Sequence, residues 1–341
     1  AENPIDSFWI DRPSPVEDKA IVLPEKYTGK SSLEKRRELG DVISKNGCTA
    51  ALITQLDSLA WLLNIRGNDV PCNPVLLSHG LLYANGDVEF FINESKIPDG
   101  FKSHVGEGVT IYPPDEIKTR LSQISGEKVQ FDSTHSNVWS HNLLSEANIH
   151  IVDKEDPCTL PKACKNETEL QGMKDCHIRD GAAVCNFLAW LDSEVKNGNL
   201  YDEGFLSNKL EGFRKQQAGF RGKSFDTISA AAGNAAMCHY NHTNYDTPAT
   251  LEMKSVYLVD SGGQYWDGTT DITRTVAIGE PSDFIKQTFT LVLKGHIALS
   301  RARFPEGIGG QHLDTLARQY LWQEGLDFDH GTGHGVGAYL N

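Results

Sequence analysis

The stretch from Val256 to Gly279, VYLVDSGGQYWDGTTDITRTVAIG, decides the reading of the second half of this 341-residue chain. It opens as an apolar strand ending at Asp260, passes through a glycine-rich turn, and resumes at Asp271 as a second extended stretch. Antiparallel pairing of the two strands would set Asp260 beside Asp271, 11 positions further on. Two buried carboxylates side by side repel, raise one another's pKa, and are tolerated mainly where a cation neutralises them. Divalent metals accept such oxygen ligands. Taken alone, Asp260 is more simply read as making an Asx turn before Ser261-Gly262-Gly263, so the pair is a modest signal.

A second pattern lies near the end of the chain, HGTGHGVG at 330–337, with His330 and His334 four apart. On a helix that spacing would put both rings on one face, but the interleaved glycines each cost ~1 kcal/mol relative to alanine in a helix. A tight strand or loop is expected instead, and its glycines would let backbone and substrate come close to the imidazoles. A glycine-rich turn with surface histidines explains the segment alone equally well. His239, after NAAMC, reads by itself as a satisfied core histidine, and His242 as solvated.

Around these motifs the second half alternates helices and strands. Asn166 and Glu169 form a reciprocal cap on a long helix with Leu170, Met173, Val184, Leu188, Leu191 and Val195 on one face. Further helices are expected at about 202–217, 284–303 and 313–324, with strands in SFDTISAAAGNAAMCHY. The first half opens with a proline- and charge-rich connector over 1–29. A capped amphipathic helix follows from Ser31 to Asn46, with Glu34 completing the box. Strands CTAALIT, VLLSHGLLY, DVEFFI, VTIYP, KVQFD and NIHIV alternate with helices at 57–64, 114–124 and 136–145 in a mixed α/β domain over 30–157. The Asn85-Gly86 step predicts a hairpin. DKEDPCTLPKACKN, 153–166, reads as a linker, and 158–341 as the second domain.

Composition narrows the function classes. Acidic residues outnumber basic ones, 46 to 32, for a net charge of -14, which disfavours nucleic acid and anionic membrane surfaces as partners. No apolar run approaches the roughly 18 residues of a membrane span, and AENPIDSFWIDRP lacks the pattern of a signal peptide. Seven cysteines without a C-x-x-C pair are expected as buried reduced thiols in a cytosolic protein, and the sequons at Asn93, Asn166 and Asn241 as chance matches. The Lys35-Arg36-Arg37 run, flanked by Glu34 and Glu38, reads as a solvated charged face. Trp61, Trp139, Trp190 and Trp322 read as core or interface side chains. Neither a dinucleotide-binding fingerprint nor a nucleophile elbow is present.

Together, VDSGGQYWDGTTDITRT at 259–275 and HGTGHGVG at 330–337 resemble the pita-bread metallopeptidases, and most closely the eukaryotic cytosolic X-prolyl aminopeptidases. The likeness extends to DRP at 11–13, WLLNIRG at 61–67, NP at 73–74, SFDTIS at 224–229 and LVLKGHIALSRARFP at 291–305, essentially the whole chain. It implies an α/β (α+β) fold: a creatinase-like mixed α/β middle domain, then a pita-bread catalytic domain. By the same resemblance, Asp260 would bind one metal, Asp271 would bridge, and His334 would bind the second, while His239 and His330 would face the substrate. Two divalent ions are implied, manganese or alternatively zinc, with peptides carrying proline at the second position as substrates, a homodimeric assembly and a cytoplasmic location. The family carries a further histidine and two glutamates beyond the position of Asn341 and a domain before the connector. The chain is therefore expected to be a fragment lacking the C-terminal part of the pita-bread domain, binding metal weakly and turning over little by itself. Prolidase is the nearest enzyme rival. Methionine aminopeptidase and creatinase fit the lead helices and metal aspartates but not WLLNIRG. A non-catalytic binding protein on the same scaffold would be expected to lose the ligands, whereas all three remain.

Overall fold

A computed structural model describes residues 4–14 and 16–341; residues 1–3 and Pro15 of the predicted connector lie outside the described residues. The chain divides into two compact units, residues to Cys176 together with Gln264–Thr269 and Gly337–Asn341, and His177–Gly263 together with Thr270–Val336.

In the first unit, helix α1 (Ser32–Lys45) starts on the predicted box, the Ser31 hydroxyl accepting from Glu34 N and the Glu34 carboxylate from Ser31 N. Such a cap is worth about 1 kcal/mol. The strands are β1 (Ala50–Ile53), β2 (His79–Tyr83), β3 (Val88–Phe91), β4 (Val109–Tyr112), β5 (Lys128–Phe131) and β6 (His150–Asp153). They form one sheet in the order β4-β3-β2-β1-β5-β6, in which β1–β2 and β2–β3 are antiparallel and the other pairs parallel. The β2–β3 hairpin turns at Asn85-Gly86, where Gly86 takes a φ of 88° that L side chains rarely adopt. Helices α2 (Leu56–Leu62), α3 (Ile117–Gln123) and α4 (Val138–Glu146) connect the strands. Buried clusters line both faces, one around Ile43, Leu62 and Phe90 and the other around Leu52, Phe131 and Leu144. That double burial is why the strands read as continuous apolar runs rather than alternating ones.

Two expectations fail in this unit, the solvated charged face and the linker. Lys35 and Arg36 are buried, and of the charged run only Arg37 is exposed. Arg36 donates to the carbonyls of Gly86 (2.7 Å), Val105 (2.8 Å) and Glu107 (2.8 Å), and Lys35 to Trp61 O (3.0 Å) and Asn64 Oδ1 (2.7 Å). Turn and helix-end carbonyls thus serve as partners for buried nitrogen donors, something periodicity cannot register. Burial lowers the Lys35 pKa to about 7. The expected linker is folded: Asp156 and Cys158 are buried, helix α5 (Thr159–Ala163) follows, and Lys162 pairs with Asp57. Trp61 is buried, but Trp139 and Trp322 are about half exposed. Trp322 is held instead by its indole N–H, which donates to Asp327 Oδ2 at 2.8 Å.

Helix α6 (Glu167–Lys196) begins on the reciprocal Asn166–Glu169 cap, each backbone N–H meeting the other's side chain at 3.0 Å. In the second unit its Val184, Phe187 and Leu191 pack with Leu206 and Leu210 of α7 (Glu203–Arg214). Strands β7 (Ile228–Ala231), β8 (Ser255–Ser261) and β11 (Ile272–Ile278) form an antiparallel sheet in that order, which contributes Tyr257 and Val259 to the same core. Between β8 and β11 lie the short β9 (Gly263–Tyr265) and β10 (Gly268–Thr269), and helices α8 (Asp283–Ser300) and α9 (Gly310–Trp322) follow the sheet. Gly295 lets α8 approach α9 closely, since a Cβ there would lie 2.1 Å from Ala317 O.

Residues 264–269 belong to the first unit, where Gln264 Nε2 donates to Cys72 O at 3.2 Å and Thr269 N to Met173 Sδ at 3.5 Å, and residues 337–341 are tied to it by Arg66, whose Nη2 donates to Ala338 O at 2.9 Å. A Cβ at Gly268 would also sit 2.6 Å from Cys176 Sγ. Of the cysteines, Cys48, Cys158 and Cys176 are buried and Cys164, Cys185 and Cys238 exposed. No helix among the described residues is long and apolar enough to cross a membrane.

Candidate metal centre

The β8–β11 ladder pairs Ser255 with Ile278 and continues to Ser261 opposite Ile272. Asp260 is opposite Thr273, and Asp271 precedes β11 by one residue, so the register sets the two aspartates together at one end of the ladder. The Asp260 Oδ1 atom accepts from the Thr273 hydroxyl at 2.7 Å. Asp271 has its pKa raised, first by burial and next by the negative charge and side-chain hydrogen bond of Asp260. The Asp260 charge thus opposes ionisation of Asp271, a repulsion that a cation would relieve.

His334 belongs to the loop after α9, which contains no regular element. Its Nδ1 donates to Gly335 O at 2.8 Å, and its Nε2 lies 3.3 Å from Asp271 Oδ2. A carbonyl can only accept, so Nδ1 carries a proton and Nε2 is the nitrogen with the lone pair in the neutral ring. A lone pair facing a carboxylate oxygen requires a proton or a cation between them. Carboxylate, carboxylate and an imidazole with a fixed tautomer are in kind the donors a divalent ion takes, although among the described residues no group of three His, Cys, Asp or Glu is drawn into one shell around a common centre.

His177, on α6, is close enough for its charge to favour ionisation of Asp271. Sequence reasoning missed it because it lies within an ordinary helical run with no motif around it. His239 and His330 are exposed, and neither makes a hydrogen bond or ion pair with Asp260 or Asp271. The core reading of His239 is therefore wrong: it has a positive φ of 54° and follows the 3-10 segment Ala232–Ala236. His242, expected to be solvated, is buried with an unpaired Nδ1, on a 3-10 turn beside Gly204 of α7. His330 Nδ1 donates to Gly331 O at 2.8 Å, leaving its Nε2 as the acceptor.

The His239 segment is held from below by Glu203, a fully buried carboxylate at the start of α7. Its Oε1 accepts from Ala231 N (2.7 Å) and Asn234 Nδ2 (2.9 Å), and its Oε2 from the Tyr240 hydroxyl (2.7 Å) and Ala249 N (3.2 Å). A cavity of about 320 Å³ elsewhere in the unit is lined by Val276, Ile285 and Phe289 and includes none of the candidate residues.

Residues 171–341 match metallopeptidase family M24, and residues 11–169 match the creatinase/prolidase N-terminal domain. The chain belongs to metallopeptidase family M24, with a creatinase-type α/β domain followed by a pita-bread domain. It is 42% identical over 350 residues to a probable Xaa-Pro aminopeptidase P of Leptosphaeria maculans, a match that covers 100% of this chain and 58% of the relative. The crystal structure of X-prolyl aminopeptidase from Caenorhabditis elegans, described as a cytosolic enzyme with a di-nuclear active site, superposes with a TM-score of 0.93 at 39% identity, covering 100% of this chain and 56% of that one. A Xaa-Pro dipeptidase from Bacillus anthracis shares the fold, with a TM-score of 0.70 at 24% identity over 90% of this chain and 82% of that one. The chain spans little more than half the length of the Leptosphaeria maculans and Caenorhabditis elegans proteins.

Proposed function

We propose that this chain supplies the creatinase-like domain and metal-binding aspartates of an Xaa-Pro aminopeptidase, a hydrolase that releases the N-terminal residue preceding proline. The observation that carries this reading is the contact between Asp271 and His334 Nε2 beside Asp260, in a member of family M24. Asp260 would hold one divalent ion, Asp271 would bridge, and His334 would hold the second. Manganese suits the carboxylate-rich donors, with zinc as the alternative. When bound, such ions acidify a water and polarise the scissile carbonyl. The chain's own contribution is to set the donors. His334 is fixed by its Nδ1 donation, and Asp260 is oriented by the Thr273 hydroxyl. His239 and His330, both exposed, would meet the peptide and move its protons. Proline's tertiary amide offers no N–H, so selection must rest on ring shape and bond geometry. A homodimer in the cytosol is the proposed assembly, the location resting on the Caenorhabditis elegans enzyme being described as cytosolic.

The test is hydrolysis by the full-length protein of an Xaa-Pro-Xaa tripeptide and an Xaa-Pro dipeptide, under manganese saturation and after chelation. Metal-dependent cleavage of the tripeptide is expected. Cleavage of the dipeptide alone would favour prolidase, and cleavage of neither would overturn the assignment.

A further inference from the structure

A buried ion pair lies behind the two aspartates. Arg214, the last residue of α7, donates from Nε to Asp180 Oδ1 at 2.7 Å and from Nη2 to Asp180 Oδ2 at 3.0 Å. The same Nη2 reaches the carbonyl of Ser261, the residue after Asp260, at 3.3 Å. Asp180 Oδ2 accepts from the hydroxyl of Thr270, the residue before Asp271, at 2.9 Å. That hydroxyl in turn accepts from Gly263 N at 2.9 Å, while Thr270 N donates to Gly263 O at 2.9 Å. All three side chains are buried, with relative exposures of 0% for Asp180 and Thr270 and 2% for Arg214.

We propose that Asp180, Arg214 and Thr270 form a clamp that fixes the backbone on the inner flanks of Asp260 and Asp271, and so sets the two carboxylates for cation binding without touching the ion. A fully buried ion pair is weak evidence of stabilisation, since apolar replacements of similar volume are often no worse. Here, however, its polar atoms are spent on the two positions adjacent to the candidate ligands. Thr270 uses its single hydroxyl proton on Asp180 and its lone pair on Gly263, so the pair and the turn share one atom. Outer partners of this kind orient ligating groups in metal sites, and their loss typically costs about 10- to 100-fold in metal affinity. Asp180, Arg214 and Thr270 are positioning residues, and the inference rests on the metal-site reading above.

Thr270→Val removes the shared hydroxyl at nearly constant volume, and Thr270→Ser keeps it. In the full-length protein, amide hydrogen exchange at 261–263 and 270–273 should accelerate in Thr270→Val, remain at the parent rate in Thr270→Ser, and be unchanged in α8 for both. Manganese affinity by calorimetry should fall about 10- to 100-fold in Thr270→Val only, and the visible spectrum of the cobalt-loaded protein should shift with it. Unchanged exchange, or unchanged affinity and cobalt spectrum, in Thr270→Val would overturn the clamp. Failure of the full-length parent protein to bind manganese would instead count against the metal reading, with the exchange comparison still deciding whether the clamp holds the turn.

Discussion

Asp271 Oδ2 lies 3.3 Å from His334 Nε2, and the same carboxylate has its pKa raised by burial and by Asp260. A group whose folded pKa exceeds its unfolded value contributes stability below the unfolded pKa and loses it as pH rises through the folded one. At neutral pH the metal-free protein therefore carries a penalty for ionising Asp271. Asp271→Asn should stabilise the chelated protein at pH 7 by about 0.5–2 kcal/mol in urea unfolding, with the gain vanishing as pH falls below the usual carboxylate range. An equal gain at all pH values would mean that packing, not charge, is responsible.

Lys35 supplies a pH dependence of the opposite sense. Its pKa falls from 10.5 to about 7 on burial, so between those values the unfolded chain binds a proton that the folded chain does not. Stability from this group rises as pH climbs from 7 towards 10. In Lys35→Met that component disappears, and the difference from wild type should move by about 2–3 kcal/mol in favour of wild type between pH 7 and 9.5. Urea titrations of both proteins at matched pH measure it, and a difference independent of pH would contradict a neutral buried amine.

Gly262 tests the turn between the aspartates. A Cβ there would lie 1.9 Å from Thr270 O and 2.1 Å from Ser224 Oγ. Gly262→Ala should cost at least the about 1–3 kcal/mol of an overpacked site, and the backbone shift should weaken manganese binding in parallel. A wild-type melting temperature would show that the turn has room to spare.

Glu203 accepts four hydrogen bonds with two oxygens, a task glutamine cannot repeat because one oxygen becomes a donor. Glu203→Gln should destabilise the second unit by about 2–4 kcal/mol and loosen the segment carrying His239. Faster amide exchange over 231–249 is the expected readout, and unchanged protection there would remove Glu203 from the support of that segment.

The antiparallel approach of Asp260 and Asp271 was legible because two apolar runs, a glycine turn and a register of period two leave little choice. The approach of His334 to Asp271 was not, since no periodicity governs a loop; it came through family resemblance alone. His177 left no local signal, because a helix partner distant in sequence is chosen by tertiary packing. Lys35 and Arg36 are buried against the expectation for one shared reason, that a residue's polarity predicts exposure only when no buried carbonyl is waiting for it, whereas His242 is buried with its Nδ1 unpaired and no such partner explains it. The interleaving of 264–269 and 337–341 with the first unit likewise involves long-range bonds to Cys72, Met173 and Arg66 that no local pattern encodes.

Anomalous scattering from crystals of the protein equilibrated with manganese is the most direct measurement of the metal reading. A peak within ligand distance of the carboxylates of Asp260 and Asp271, accompanied by a second on His334 Nε2, is the expected result. Density with no manganese peak at these three side chains under saturating metal would contradict it.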